Sequence, residues 1–149
     1  MSDLPGSVLF ACNRNTTRSP MAEALMKHLL GHRVYVDSVG VRLSANEMDP
    51  FAIAALAEIG LDISGHRPKT FEDIDDQAID LIVTFTPQAQ HRAVELTRTL
   101  ACDIEYWPLP DPTIVEGNRD TRLAAYRDLR ETIFARIRER FSPQGAALD

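Results

Sequence analysis

The apolar run Val8-Leu9-Phe10-Ala11 breaks at once into the polar stretch Cys12-Asn13-Arg14-Asn15-Thr16-Thr17-Arg18-Ser19, after which Pro20-Met21-Ala22-Glu23-Ala24-Leu25-Met26 reads as the first turns of a helix. A run that short and that apolar is a strand buried on both faces. The loop is short enough for its backbone N–H groups to converge on an anion, aided by the positive end of the helix dipole. Arg18 adds a planar fork matched to two oxygens of a tetrahedral oxyanion. The same positive field favours Cys12 as a thiolate, the form that attacks.

Strands and helices alternate through the rest of the chain. Apolar positions keep helical spacing from Pro20 to Leu30, and Gly31 is placed to end that helix. Val34-Tyr35-Val36 reads as a second strand and 38–46 as a loop. Asp49-Pro50 starts a second helix that runs inward-facing residues to Ile59, with Gly60 as its stop. A short helical turn is expected at Phe71–Ile74, a third strand at Ile79–Phe85, a helix over Pro87–Leu100 and a fourth strand at Ile104–Trp107. Pro108–Asp120 is a long proline-bearing loop, of the length that in compact domains usually carries function. Leu123, Tyr126, Leu129, Ile133, Ile137 and Phe141 form one stripe on a charged final helix that Asp120 is expected to cap, and 142–149 reads as a frayed tail. Alternating β and α elements predict a single α/β domain over 1–149, an open parallel sheet with helices on both faces.

The 149 residues carry 22 acidic and 16 basic side chains, a net charge of −6. That balance argues against a general nucleic-acid binder, although a few local cations and dipoles still suffice for an anionic substrate. Only two cysteines occur, Cys12 and Cys102, with no disulfide-scaffold pattern. No signal peptide and no membrane-length apolar run is visible, so a cytoplasmic protein without membrane association is expected. His28, His32, His66 and His91 show no metal-ligand spacing, so neither a metal nor another cofactor is expected.

Cys-x5-Arg-Ser-Pro after an apolar strand, together with Leu109-Pro110-Asp111-Pro112 about a hundred residues on and a final helix, resembles the low-molecular-weight protein tyrosine phosphatases from about Ser7 to Phe141. The resemblance implies a three-layer α/β/α fold with a four-stranded parallel sheet in the order 2-1-3-4. Cys12 then stands at the topological switch point. It also implies hydrolysis of a phosphomonoester through a cysteinyl-phosphate. Cys12 is then the nucleophile, and Asn13, Arg14, Asn15, Thr16, Thr17, Arg18 and Ser19 form the phosphate loop. Asp111 is the general acid. Asn15 and Ser19 support the loop, Ser19 facing the sulfur as well as serving as a helix cap. A phosphorylated protein or small phosphate ester is the implied partner, with free phosphate and other oxyanions as inhibitors.

Three departures from the family pattern individualise this chain. Thr17 stands where many members carry a second cysteine, Arg14 where glycine is usual, and the positions that hold rim aromatics read 41–46 and Thr113-Ile114-Val115. A selective phosphotyrosine enzyme is therefore not expected, the rim offering Arg42, Asn46 and Ile114 instead. Two other functions compete. A thioredoxin-coupled arsenate reductase of the same fold needs two further cysteines, and 83–93 contains none, which leaves a glutathione-type route that needs fewer protein thiols. A non-catalytic phosphate-binding domain would not ordinarily keep nucleophile, arginine and acid together.

Overall fold

A computed structural model describes residues 4–43, 47–74, 78–98 and 100–141. The strands are β1 (Ser7–Cys12), β2 (Tyr35–Gly40), β3 (Leu81–Thr84) and β4 (Asp103–Tyr106), and the helices α1 (Arg18–Leu30), α2 (Pro50–Ala57), α3 (Pro87–Leu96) and α4 (Arg119–Phe141). Short 3₁₀ turns occupy Phe71–Ile74 and Pro112–Ile114. All pairings are parallel and the strand order is β2-β1-β3-β4, as the resemblance implied.

The period of two along β1 distributes the two cores. Val8, Phe10 and Cys12 face α1, α2 and α4, whereas Leu9 and Ala11 face α3 and the first 3₁₀ turn. Cys12 therefore lies on the α1 side, directly under the helix that follows its own loop. The α4 stripe from Leu123 to Phe141 is buried at every expected position. Gly60 adopts φ +83°, the left-handed geometry that ends α2.

Several boundaries differ from the sequence reading. Ser38–Gly40, read as loop, completes β2, because β1 supplies a partner along its whole length from Ser7↔Tyr35 to Cys12↔Gly40. The expected helix to Leu100 ends at Leu96, the one to Ile59 ends at Ala57, and the third and fourth strands are Leu81–Thr84 and Asp103–Tyr106. Asp120 is not the cap of α4: Asn118 Oδ1 accepts from Thr121 N at 2.8 Å, and Asp120 sits inside the first turn. The tail 142–149 and the rim positions 44–46, Asn46 among them, lie outside the described residues. Among the described residues no helix is long and apolar enough to cross a membrane.

Phe10 is fully buried and its ring lies 5.7 Å from Phe85 and 6.3 Å from Trp107. Phe10→Ala is expected to cost about 3–5 kcal/mol, read as a lower urea midpoint from the fluorescence of Trp107, the sole tryptophan.

Candidate active site

Cys12, Asn13, Arg14, Thr16, Thr17 and Arg18 line one cleft with Asp111 and Thr113. The loop thus meets the Asp-Pro segment across the carboxyl end of the sheet, at the place where strand order reverses. Arg18 opens α1 and its Nη1 donates to Leu109 O at 3.1 Å, fastening the Cys12 loop to the segment that carries Asp111. Thr17 precedes α1 but makes no side-chain cap bond; its Oγ1 donates to Asp49 Oδ2 at 2.9 Å instead. The N–H groups at the start of α1 are therefore left for a ligand, the arrangement that makes a helix start an anion site.

Asn15 and Ser19 do not face the cleft. Both are fully buried behind the loop, with their side chains turned away from the cleft. Ser19 is not a helix cap: its hydroxyl lies 2.9 Å from Cys12 Sγ, poised to donate to a thiolate, and 3.3 Å from Val39 O. Asn15 holds φ 59°, the left-handed region that asparagine tolerates better than most residues. Its Nδ2 donates to Ser19 Oγ at 2.8 Å and Ser38 Oγ at 3.0 Å, and its Oδ1 accepts from Lys69 N at 3.0 Å. His66 Nε2 lies 2.8 Å from the same Oδ1 and must carry its proton there. Burial disfavours the charged form of His66, against the raising effect of Glu23, whose Oε1 lies 3.7 Å from Nδ1.

Several supporting residues escaped the sequence reading because each lies far from the loop in the chain. His66 was read only as lacking metal-ligand spacing. Thr86, the N-cap of α3, donates to Asn13 Oδ1 at 2.7 Å. Asp49 caps α2 through Phe51 N, donates its own N–H to Thr16 O at 3.2 Å, and accepts from Thr17 and, at 2.6 Å, from Tyr126 Oη. Burial pushes the Tyr126 phenol well above its usual range, and the Asp49 carboxylate adds to that. Only the Asp-Pro start of α2 offered a local signal, for the cap and not for the tether.

Asp111 Oδ1 accepts from Thr113 N at 2.9 Å and from Thr113 Oγ1 at 2.6 Å. Burial by itself would raise this carboxyl. The two Thr113 bonds and the charges of Arg18 and Arg14 outweigh it and hold Asp111 below the ordinary aspartate range. At neutral pH Asp111 is thus a carboxylate. At the rim, Thr113, Thr16 and Arg14 line the cleft, whereas Arg42 and Ile114 do not, and no aromatic side chain does so among the described residues.

A cysteine under an uncapped helix start, an arginine at that start and a carboxylate opposite form one compact site. The chain belongs to the low molecular weight phosphotyrosine protein phosphatases, whose family model matches residues 7–142. It is 32% identical over 133 residues to an arsenate reductase of Halalkalibacterium halodurans, covering 88% of this chain and 91% of that one. A mutant of the arginine phosphatase YwlE with a phosphorylated active-site serine superposes with a TM-score of 0.73 at 26% identity, covering 89% and 91%. An arsenate reductase in its phosphate-binding state gives 0.67 at 26% identity, covering 96% and 98%.

The Thr17–Asp49–Tyr126 contacts make a testable joint between the loop, α2 and α4. With either hydroxyl removed, Asp49 Oδ2 keeps one donor; with both removed it keeps neither. Thr17→Val combined with Tyr126→Phe is expected to destabilise by more than the sum of the singles, with a coupling of about 0.5–3 kcal/mol in a urea double-mutant cycle. Additivity would mean that the two hydroxyls do not share the carboxylate.

Proposed function

We propose that this protein is a cysteine-dependent phosphomonoesterase. The observation that carries the reading is the convergence of Cys12, Arg18 and Asp111 on a single cleft. The Cys12 thiolate attacks phosphorus in line with the leaving oxygen, forming the S–P bond as the P–O bond breaks. Arg18 and the loop N–H groups hold the three equatorial oxygens, where charge is concentrated in the transition state. Asp111 protonates the leaving oxygen, then takes a proton from the water that hydrolyses the cysteinyl-phosphate. Ser19 stabilises the sulfur as it leaves. No group outside this chain is required by these steps.

Several curated relatives are arsenate reductases, the one from H. halodurans among them, and the fold accommodates that chemistry. The arrangement of thiols favours the phosphatase. Cys102 is the other cysteine of the chain and precedes β4, where Asp103 is in register with Leu81 and Leu81 with Val8. Cys102, one residue earlier, is level with Ser7, so Cys12 lies about 17 Å farther along the strand direction and two strands, about 10 Å, across. Disulfide formation requires Cα atoms within about 7 Å, so Cys102 cannot receive a disulfide from Cys12 within the folded chain.

Turnover of para-nitrophenyl phosphate in EDTA, set beside arsenate reduction with thioredoxin or glutaredoxin, separates the activities. Phosphate release by the wild type that vanishes in Cys12→Ser is the expected result; arsenate reduction without phosphate release would overturn it. A panel of phosphotyrosine, phosphoarginine and small alkyl phosphates then ranks substrates. A hundredfold preference for phosphotyrosine would contradict a rim without aromatics. Arg18→Lys should be nearly as damaging as Arg18→Ala, since a point charge does not reproduce the fork.

Two expectations test Asp111. Asp111→Asn should lose roughly 10²–10⁴-fold in kcat on phenyl phosphate and distinctly less on para-nitrophenyl phosphate, whose leaving group needs little protonation. Asp120→Asn is the control and should show no such dependence. Because Asp111 is ionised before substrate binds, the proton it donates must enter with the substrate monoanion. For the wild type, kcat/KM should therefore fall as pH rises above about 6, the second pKa of a phosphate ester. An alkaline limb equally steep in Asp111→Asn on phenyl phosphate would remove Asp111 from the acid role.

A further inference from the structure

We propose that Arg14 makes the mouth of the Cys12 cleft a subsite for a second anionic group, so that the favoured substrates are small phosphate esters bearing a carboxylate or a further phosphate. The inference deepens the phosphatase reading and rests on it for its catalytic consequence, although binding alone can test it. Two arginines line the cleft, and they are in different situations. Arg18 is half-buried and committed to Leu109 O and the phosphate position. Arg14 is exposed and, among the described residues, forms no hydrogen bond and no ion pair, yet its charge is felt at Asp111 across the cleft. The carboxylate does not consume it, because Asp111 spends its contacts on Thr113.

The root of the Arg14 side chain is held in place. A Cβ at Gly40 would lie 2.7 Å from the carbonyl carbon of Arg14 and 2.8 Å from Asn15 N, so the end of β2 is flush against the loop backbone at this residue. Val41 N and Arg42 N both donate to Asn13 O, at 2.9 and 3.1 Å, and Asn15 is locked in its left-handed conformation by four partners. A long cationic side chain on a fixed root, beside a phosphate position and without a partner among the described residues, is complementary to a second negative charge a few bonds from the phosphorus. The rest of the wall is consistent with a polar substrate: Asn13, Thr16, Thr17 and Thr113 line it, and among the described residues no aromatic does.

The test uses the intact protein and two non-hydrolysable phosphonates of equal chain length, propylphosphonate and 3-phosphonopropionate, in calorimetric titrations at low salt. The wild type should bind 3-phosphonopropionate about three- to fivefold tighter, the range of a solvent-exposed ion pair, and the advantage should shrink as salt is raised. In Arg14→Gln the ratio should fall to about one. In Arg14→Lys much of it should return, because an exposed carboxylate needs a charge and not a bidentate fork, in contrast to the behaviour expected at Arg18. A wild-type ratio near one, or a ratio unchanged in Arg14→Gln, would overturn the subsite. If propylphosphonate binds and para-nitrophenyl phosphate is hydrolysed while the ratio is one, the subsite alone fails. If neither phosphonate binds and no ester is hydrolysed, the phosphatase reading fails and the subsite with it.

Discussion

The site depends on the side-chain amide of Asn15. A loop that curls its N–H groups toward one point needs a residue at positive φ, and Asn15 supplies it at 59°. That conformation is held by wiring the amide to four places in the fold: Ser19 on α1, Ser38 on β2, and His66 and the Lys69 N–H on the segment that follows α2. Because Ser19 also touches Cys12 Sγ, the bond network that shapes the loop reaches the sulfur in one further step. A buried network of this kind is rigid only while every member is satisfied. Its burial behind the loop also keeps water from competing for those bonds.

Electrostatics and topology reinforce each other in front of the loop. The order β2-β1-β3-β4 sends the connection after β1 over one face of the sheet, through α1, and the connection after β3 over the other, through α3, which opens a crevice at the carboxyl ends of these two strands. The start of α1 points into that crevice, and the Thr17 hydroxyl that could have capped it is drawn off to Asp49. Positive potential is thereby concentrated at one point on a chain whose net charge is −6. The same tether puts Thr17 to structural use at a position where a second cysteine would serve a redox purpose.

Much of this was legible along the chain. The apolar strand, the polar loop and the α4 stripe carry strong local patterns, and Leu123, Tyr126, Leu129, Ile133, Ile137 and Phe141 are all buried. Element ends were less legible. Ser38–Gly40 is a strand only because β1 is beside it, and Asp120 yielded the α4 cap to Asn118, whose carboxamide reaches the right N–H. Ser19 resembles a cap in sequence and proves to be a buried partner of the sulfur.

The sequence by itself determined the alternation of strand and helix, the register of Cys12 with Arg18 and the lack of a nearby second thiol. All of these are fixed by spacing within a few residues. Only the tertiary structure decided what stands behind and across from that loop. His66, Lys69, Asp49 and Thr86 come to it from 32 to 73 residues away, and the Asp111 segment is tied to Arg18 through the Leu109 carbonyl, 91 residues from that arginine. Such partnerships leave no periodic trace, because they arise from how the strands stack and not from the preferences of any one segment.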